Sequence, residues 1–194
     1  MKSKHILTVT LFLFCICNIN AQNNFVKLYG GNETDYGNDI VQDQNEDFVL
    51  TGVISQSHSC FIKLNKYGEL LIEKTLIDSS YNSVGRAIVS LIDGGYAIAG
   101  TKYLPENSTE GPILCIIRTN ENGDTIWTQN YDTISFYYNI SMAVTADKCF
   151  VLSFHEDNQI CLMKTDENGN VLWTNYNTPN HDSFVTTNSI IVVP

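Results

Sequence analysis

The sequence predicts an all-β protein in which one four-stranded unit is repeated along the chain. Three observations carry this expectation. A turn running into an apolar stretch occurs three times, as Asn45-Glu-Asp-Phe-Val-Leu-Thr-Gly52, Asp93-Gly-Gly-Tyr-Ala-Ile-Ala-Gly100 and Asp147-Lys-Cys-Phe-Val-Leu-Ser-Phe154. A second turn recurs in step with the first, as Leu64-Asn-Lys-Tyr-Gly-Glu69, Thr119-Asn-Glu-Asn-Gly-Asp124 and Thr165-Asp-Glu-Asn-Gly-Asn170. The stretches between turns are rich in Val, Ile, Phe, Tyr and Thr, and none holds the apolar period of about 3.6 that a helix needs.

Composition bounds the function. The chain has 194 residues, of which 43% are hydrophobic and only 16% charged, which suits a folded, sheet-rich domain rather than a disordered one. The net charge of −10 excludes binding that tracks a phosphate backbone, because no basic patch is available to release counterions. It also disfavours electrostatic docking on anionic lipid.

Met1 to Ala21 reads as a secretory signal peptide. Lys2, Lys4 and His5 form its positive end, Ile6 to Ile16 its apolar run, and Ala21 the small residue before the cut. The apolar run is too short to span a bilayer, and no later run is long enough, so no transmembrane segment is expected. Cys15 and Cys17 follow Phe14 and Ile16, where a lipid-attachment motif needs a small residue. The mature chain is therefore expected from Gln22 onward: secreted, at the cell surface, or in the periplasm.

Within each unit four strands are expected, A to D. In the first they are Asn38–Asp43, Asp47–Val53, Cys60–Leu64 and Glu69–Lys74. In the second they are Arg86–Leu91, Tyr96–Thr101, Ile113–Thr119 and Asp124–Gln129. In the third they are Ser141–Thr145, Cys149–Phe154, Ile160–Thr165 and Asn170–Asn175. Phe25-Val-Lys-Leu-Tyr29 aligns with Trp127-Thr-Gln-Asn-Tyr131, so a lone D strand is expected to lead the array. Asn188-Ser-Ile-Ile-Val-Val193 reads as a further A strand. Gly68, Gly123 and Gly169 close the C–D turns, where the last turn residue must take a positive φ before the chain returns. Trp127 and Trp173, with Ile72 in the matching place, are expected to cover the outer part of each sheet. In the third A–B turn Lys148 and Cys149 stand where the second has Gly-Gly, which predicts a looser turn there.

A period of about 50 residues with four strands each predicts a partial β-propeller: blades at 38–74, 86–129 and 140–175, and an incomplete fourth from 188. An open stack leaves a blade face uncovered at each end. This predicts self-association, or further blades C-terminal to the sequence given.

Tyr29-Gly-Gly31 with Asp35, Asp93 to Tyr96, Lys164 to Gly169, and Trp173 together resemble the secreted β-propeller repeats common in Bacteroidota. The C–D segment also resembles the short repeat of quinoprotein-type propellers. The resemblance covers roughly 25–194 and implies a fold rather than an activity.

The sequence holds no Ser-His-Asp arrangement, phosphate-cradling Gly loop or paired-His motif, so neither a catalytic residue nor a cofactor is assigned. The working surface is expected on the D–A and B–C loops. Candidate binding residues there are Asn32, Asp35, Tyr36, His58, Pro105, Glu106, Asn107, Glu110, Glu156 and Asp157, facing an unidentified protein or carbohydrate. Each has a plainer reading. Asp35 and Asp39 are expected to accept backbone N–H bonds and brace the turn. His58 and His155 lie near Cys60 and Cys161 at spacings that match no standard zinc pair. The Asp166 and Asn120 loops have their Gly too early for an EF-hand, and so read as hairpin turns. Cys60, Cys115 and Cys161 share one repeat position, which favours buried thiols, with Cys149–Cys161 the pairing to exclude. The rival class is a propeller enzyme, a hydrolase or quinoprotein-like oxidoreductase, with its site at the axis. The A-strand positions there are Asp39, Ala87, Ser141 and Ser189, which form no repeated catalytic pattern.

Overall fold

The computed structural model describes residues 26, 28–76, 82–104, 111–133, 139–156 and 159–177. The expected signal peptide, Pro105 to Glu110, Asp157 and the strand expected at 188–193 lie outside the described residues. Twelve strands form three four-stranded antiparallel sheets, with no helix among the described residues. The first sheet contains β1 (Tyr36–Gln42), β2 (Phe48–Ile54), β3 (His58–Leu64) and β4 (Leu70–Thr75). The second contains β5 (Ser83–Ser90), β6 (Tyr96–Lys102), β7 (Ile113–Thr119) and β8 (Thr125–Thr133). The third contains β9 (Ser141–Val144), β10 (Phe150–Glu156), β11 (Gln159–Thr165) and β12 (Val171–Asn177). Each sheet is a simple meander in chain order. Every strand expected within the three units is present, with ends shifted by a few residues. The leading D strand expected at Phe25–Tyr29 is not: the described residues there, 26, 28 and 29, form no strand, and Val26 and Leu28 are 96% exposed, with no neighbouring strand paired to them.

The turns explain why the sequence folds in this way. In each C–D turn the first residue is Asn or Asp, and its Oδ1 accepts two backbone N–H groups. Asn120 Oδ1 takes those of Asn122 at 3.0 Å and Asp124 at 2.9 Å, while Asp166 Oδ1 takes those of Asn168 at 2.9 Å and Asn170 at 2.8 Å. Gly68, Gly123 and Gly169 then sit at φ of 71°, 75° and 82°. The ladder between the two strands shifts register beside each turn, which is the bulge that a three-residue loop with a left-handed last residue produces. The hairpin reading of these loops therefore holds.

The expectation of a looser third A–B turn does not hold. Thr145 N–H bonds Cys149 O at 2.9 Å and Lys148 N–H bonds Thr145 O at 2.9 Å, the same closure that Leu91 with Gly95, and Asp43 with Asp47, make in the other sheets. Lys148 adopts φ 61° and Glu46 φ 65°, where Gly94 has 88°. The ladder on either side fixes the loop, so a side chain is forced into the left-handed region rather than the turn opening.

Where the third unit does depart is at its B strand. Gly52 and Gly100, within β2 and β6, are held to glycine because a Cβ there would lie 2.0 Å from Tyr36 O and 2.2 Å from Val84 O. These glycines let β1 and β5 run on past a bulge. Phe154 occupies that place in β10, and the pairing of β9 stops at Ser141 opposite Ser153, one residue short of it.

The sheets pack in sequence, with β5 of the second sheet against β1, β2 and β3 of the first and against β9 of the third. Val49, Phe61, Ile88, Tyr96, Ile98, Cys115 and Ile117 fill the first junction. Ala97, Ala99, Leu114, Ile116, Phe150, Leu152 and Met163 fill the second, with half-buried Trp127 and Tyr131 against them. Trp127 thus covers its sheet as expected, whereas Trp173, on the face of the third sheet turned away from the second, is 40% exposed.

Candidate functional site

Antiparallel meanders place the D–A and B–C loops at one end of the sheets and the A–B and C–D turns at the other. The described candidates from the sequence, Asn32, Asp35, Tyr36, His58 and Glu156, all fall at the first end. Asn32 is exposed, and Tyr36 is 46% exposed opposite Val53. Asp35 Oδ2 accepts Gly31 N–H and its Oδ1 accepts Ser55 N–H, both at 2.7 Å, so this carboxylate ties the segment before β1 to the β2–β3 loop. Asp39 accepts Ile40 N–H at 2.9 Å and, from the second sheet, Ile88 N–H at 2.8 Å. Both acids therefore brace backbone. His58 Nδ1 lies 3.2 Å from Ser57 Oγ. Glu156 turns inward, with Cys161 Sγ 3.7 Å from its Oε2. It helps to line a hollow of about 580 Å3 with Tyr131, Phe154 and Tyr176. Asp35 thus lies beside the loop that leads into His58, whereas Glu156 belongs to the third sheet. No group of three metal-ligating side chains occurs among the described residues, and Cys60, Cys115, Cys149 and Cys161 form no disulfide.

The opposite end holds what the sequence reading missed. Between the first and second sheets a buried polar cluster closes the junction. Lys63 Nζ lies 3.0 Å from Asp43 Oδ2 and 3.4 Å from Asp47 Oδ2, and Tyr96 OH donates to Asp43 Oδ2 at 2.6 Å. The Tyr96 ring meets Phe61 edge-on, with centroids 5.3 Å apart. Burial works to raise the Asp43 carboxyl, but hydrogen bonds from Tyr96 and Lys63 hold it below its usual value. Burial together with the bond to Asp43 pushes the Tyr96 phenol up to about 12. Burial opposes the charge on Lys63, yet Asp43 and Tyr96 raise its affinity for the proton well above normal.

At the same place between the second and third sheets the residues differ. Leu91 stands for Asp43, Arg118 for Lys63 and Phe150 for Tyr96, as the shared turn and ladder register shows. Without the phenol and the carboxylate the junction stays open, leaving a groove of about 530 Å3. Leu91, Trp127, Val144 and Phe150 line its apolar part, with Trp127 and Phe150 edge-to-face at 6.4 Å. Ile92 and Ile126 contribute to it at 79% and 59% exposure. Asp93, Arg118, Thr145, Lys148, Glu167 and Asn168 supply the polar part. Arg118 pairs with Asp93 and also donates to the carbonyls of Tyr96 and Thr119. Its fit depends on Gly95, where a Cβ would lie 2.2 Å from Arg118 Nη1. The signal for this groove was in the sequence, as the Tyr96-to-Phe150 and Asp43-to-Leu91 exchanges, but their meaning required the junction partners.

No protein-family model matches the chain, and no curated protein matches it either.

Proposed function

We propose that this chain is an exported, propeller-type repeat module that binds a ligand, and that the groove between the second and third sheets is where it binds. The observation that carries the reading is the groove itself: a largely apolar concavity of about 530 Å3 with a few placed polar groups, the usual form of a ligand site. Three successive meanders, with first strands β1 and β5 in contact and β5 and β9 in contact, support a propeller-type arrangement, as does the resemblance to secreted Bacteroidota repeats. The N-terminal apolar run supports export. The A-strand positions do not favour an enzyme, since Asp39 is committed to backbone N–H groups and Ala87 has no reactive group.

The test is to rebuild the closed junction. Leu91→Asp with Phe150→Tyr restores the carboxylate and phenol of the first junction. The parent chain, screened against peptide and oligosaccharide panels, is expected to retain a ligand that the double variant loses while keeping its thermal midpoint. A ligand held equally by both proteins places binding elsewhere and removes the groove from the reading.

A further inference from the structure

We propose that the polar hollow between β8 and β12 is a binding site for a neutral saccharide. This rests on the binding-module reading but not on the groove, with which the hollow shares no lining residue. The hollow arises from an exchange between repeats. At the outer side of the first junction Lys74 of β4 forms an ion pair with Asp124, which follows the turn glycine Gly123. The ladder register makes Gln129 of β8 the counterpart of Lys74, and Asn170 follows Gly169 as Asp124 follows Gly123. The second junction thus carries two neutral carboxamides in place of the ion pair, and both line the hollow of about 580 Å3.

The lining selects the ligand. Its apolar floor is sealed, because Leu114, Phe154 and Met163 are buried. What a ligand meets is polar. The side chains of Gln129, Asn130 and Thr174 make no hydrogen bond among the described residues. Asn170 Nδ2 donates to Asp166 Oδ2 at 2.8 Å, which leaves the Asn170 carbonyl oxygen to accept. A carboxamide holds donor and acceptor side by side, and a sugar hydroxyl is both, so three carboxamides match a polyhydroxylated surface. Tyr176, at 57% exposure, and exposed Val171 offer an apolar surface to the C–H face of a sugar ring. Glu156 is the one charged side chain in the lining, so an anion finds no partner there. A polypeptide anchor needs an open apolar pocket, which the sealed floor does not provide. Tyr131 OH, bonded to Gly169 O at 2.8 Å, ties β8 to the third sheet and holds the two walls at a set spacing before any ligand arrives.

The experiment presents the intact chain to an array of neutral oligosaccharides of hexose and N-acetylhexosamine units, with sialylated glycans and random peptides as parallel panels. The parent is expected to hold at least one neutral glycan. Gln129→Lys with Asn170→Asp rebuilds the ion pair of the first junction and is expected to weaken that glycan at least about tenfold. Asn130→Ala, at an exposed position, is expected to weaken it about fivefold and carries the test alone if the double variant fails to fold. Leu91→Asp with Phe150→Tyr, which closes the groove, is expected to leave the glycan bound. If no other ligand is then lost, the hollow replaces the groove as the binding site of the module. The proposal is overturned if no neutral glycan binds, or if the glycan is held unchanged by both hollow variants. Loss of the glycan on closing the groove instead returns binding to the groove and also overturns it. A sialylated glycan or a peptide that binds the parent and is the ligand lost on Gln129→Lys with Asn170→Asp overturns the neutral-saccharide assignment.

Discussion

Lys63, Asp43 and Tyr96 show how single side chains decide whether a junction between sheets is closed. Lys63 and Asp43 are nearly buried, at 9% and 8% side-chain exposure, so removing one partner strands the other. Lys63→Met is expected to cost about 3 kcal/mol and Tyr96→Phe about 1–2 kcal/mol, read from urea midpoints. The same cluster sets a pH profile. Asp43 is held below its usual value in the folded chain, so its contribution is complete above the unfolded value and is lost as pH falls through the folded one. Lys63 and Tyr96 are raised, so theirs is complete below their unfolded values and is lost as pH rises through the folded ones. Stability is therefore expected to hold a plateau between about pH 5 and about pH 10 and to fall on both sides. A Tyr96→Phe profile with the same alkaline edge would remove the phenol from this account. At the third A–B turn, Lys148→Gly is expected to gain up to about 1 kcal/mol, because the left-handed backbone no longer crowds a Cβ.

Among elements, the turns carry the order of the fold and the tyrosines carry the spacing between sheets. Tyr131 OH at the end of β8 bonds Gly169 O in the next sheet at 2.8 Å, and Tyr29 OH bonds Gly68 O in the first sheet. The sequence alignment of Phe25–Tyr29 with Trp127–Tyr131 thus has a physical counterpart at its last position: Tyr29 meets the C–D turn of the first sheet as Tyr131 meets that of the third, while Val26 and Leu28 are 96% exposed. Tyr29→Phe and Tyr131→Phe are both expected to cost about 1 kcal/mol, measured side by side. An unchanged midpoint for Tyr29→Phe alone would break the equivalence. Gly123→Ala is expected to cost more, about 2–3 kcal/mol, since its φ is 75° and the new Cβ would lie 2.5 Å from the Phe61 ring.

For the whole molecule, the two junctions differ in what they leave accessible. Cys60, at 1% exposure, and Cys115, at 0%, belong to packed faces. Burial pushes their thiols up to about 11 and about 12. Native chain at neutral pH is expected to leave both unmodified by a thiol reagent, and denaturant is expected to expose them; rapid native labelling of either would contradict the packing. Both residues stand at one repeat position and were readable as buried from spacing alone. The groove was not readable, although its residues were in plain view. Phe150 looks like a conservative partner to Tyr96 until the carboxylate opposite is seen to be Leu91.

The sequence by itself determined the strand order, the all-β class and the two turn types, because each depends on local chemistry. An Asx side chain that bonds the next backbone amides, a glycine at positive φ and alternating apolar residues act within a few positions of one another. It also marked Asp35 and Asp39 as braces of their own turn, whereas the Ser55 and Ile88 amides that they also hold lie 20 and 49 residues away and were set by the tertiary structure. Only the tertiary structure decided that Lys148 is held in a tight turn, that Phe154 cuts β9 short, and that one junction is sealed while the next is open. Those outcomes depend on which side chains meet across sheets from residues far apart in the chain, and a buried Asp–Tyr–Lys cluster or an apolar gap exists only once both faces are brought together.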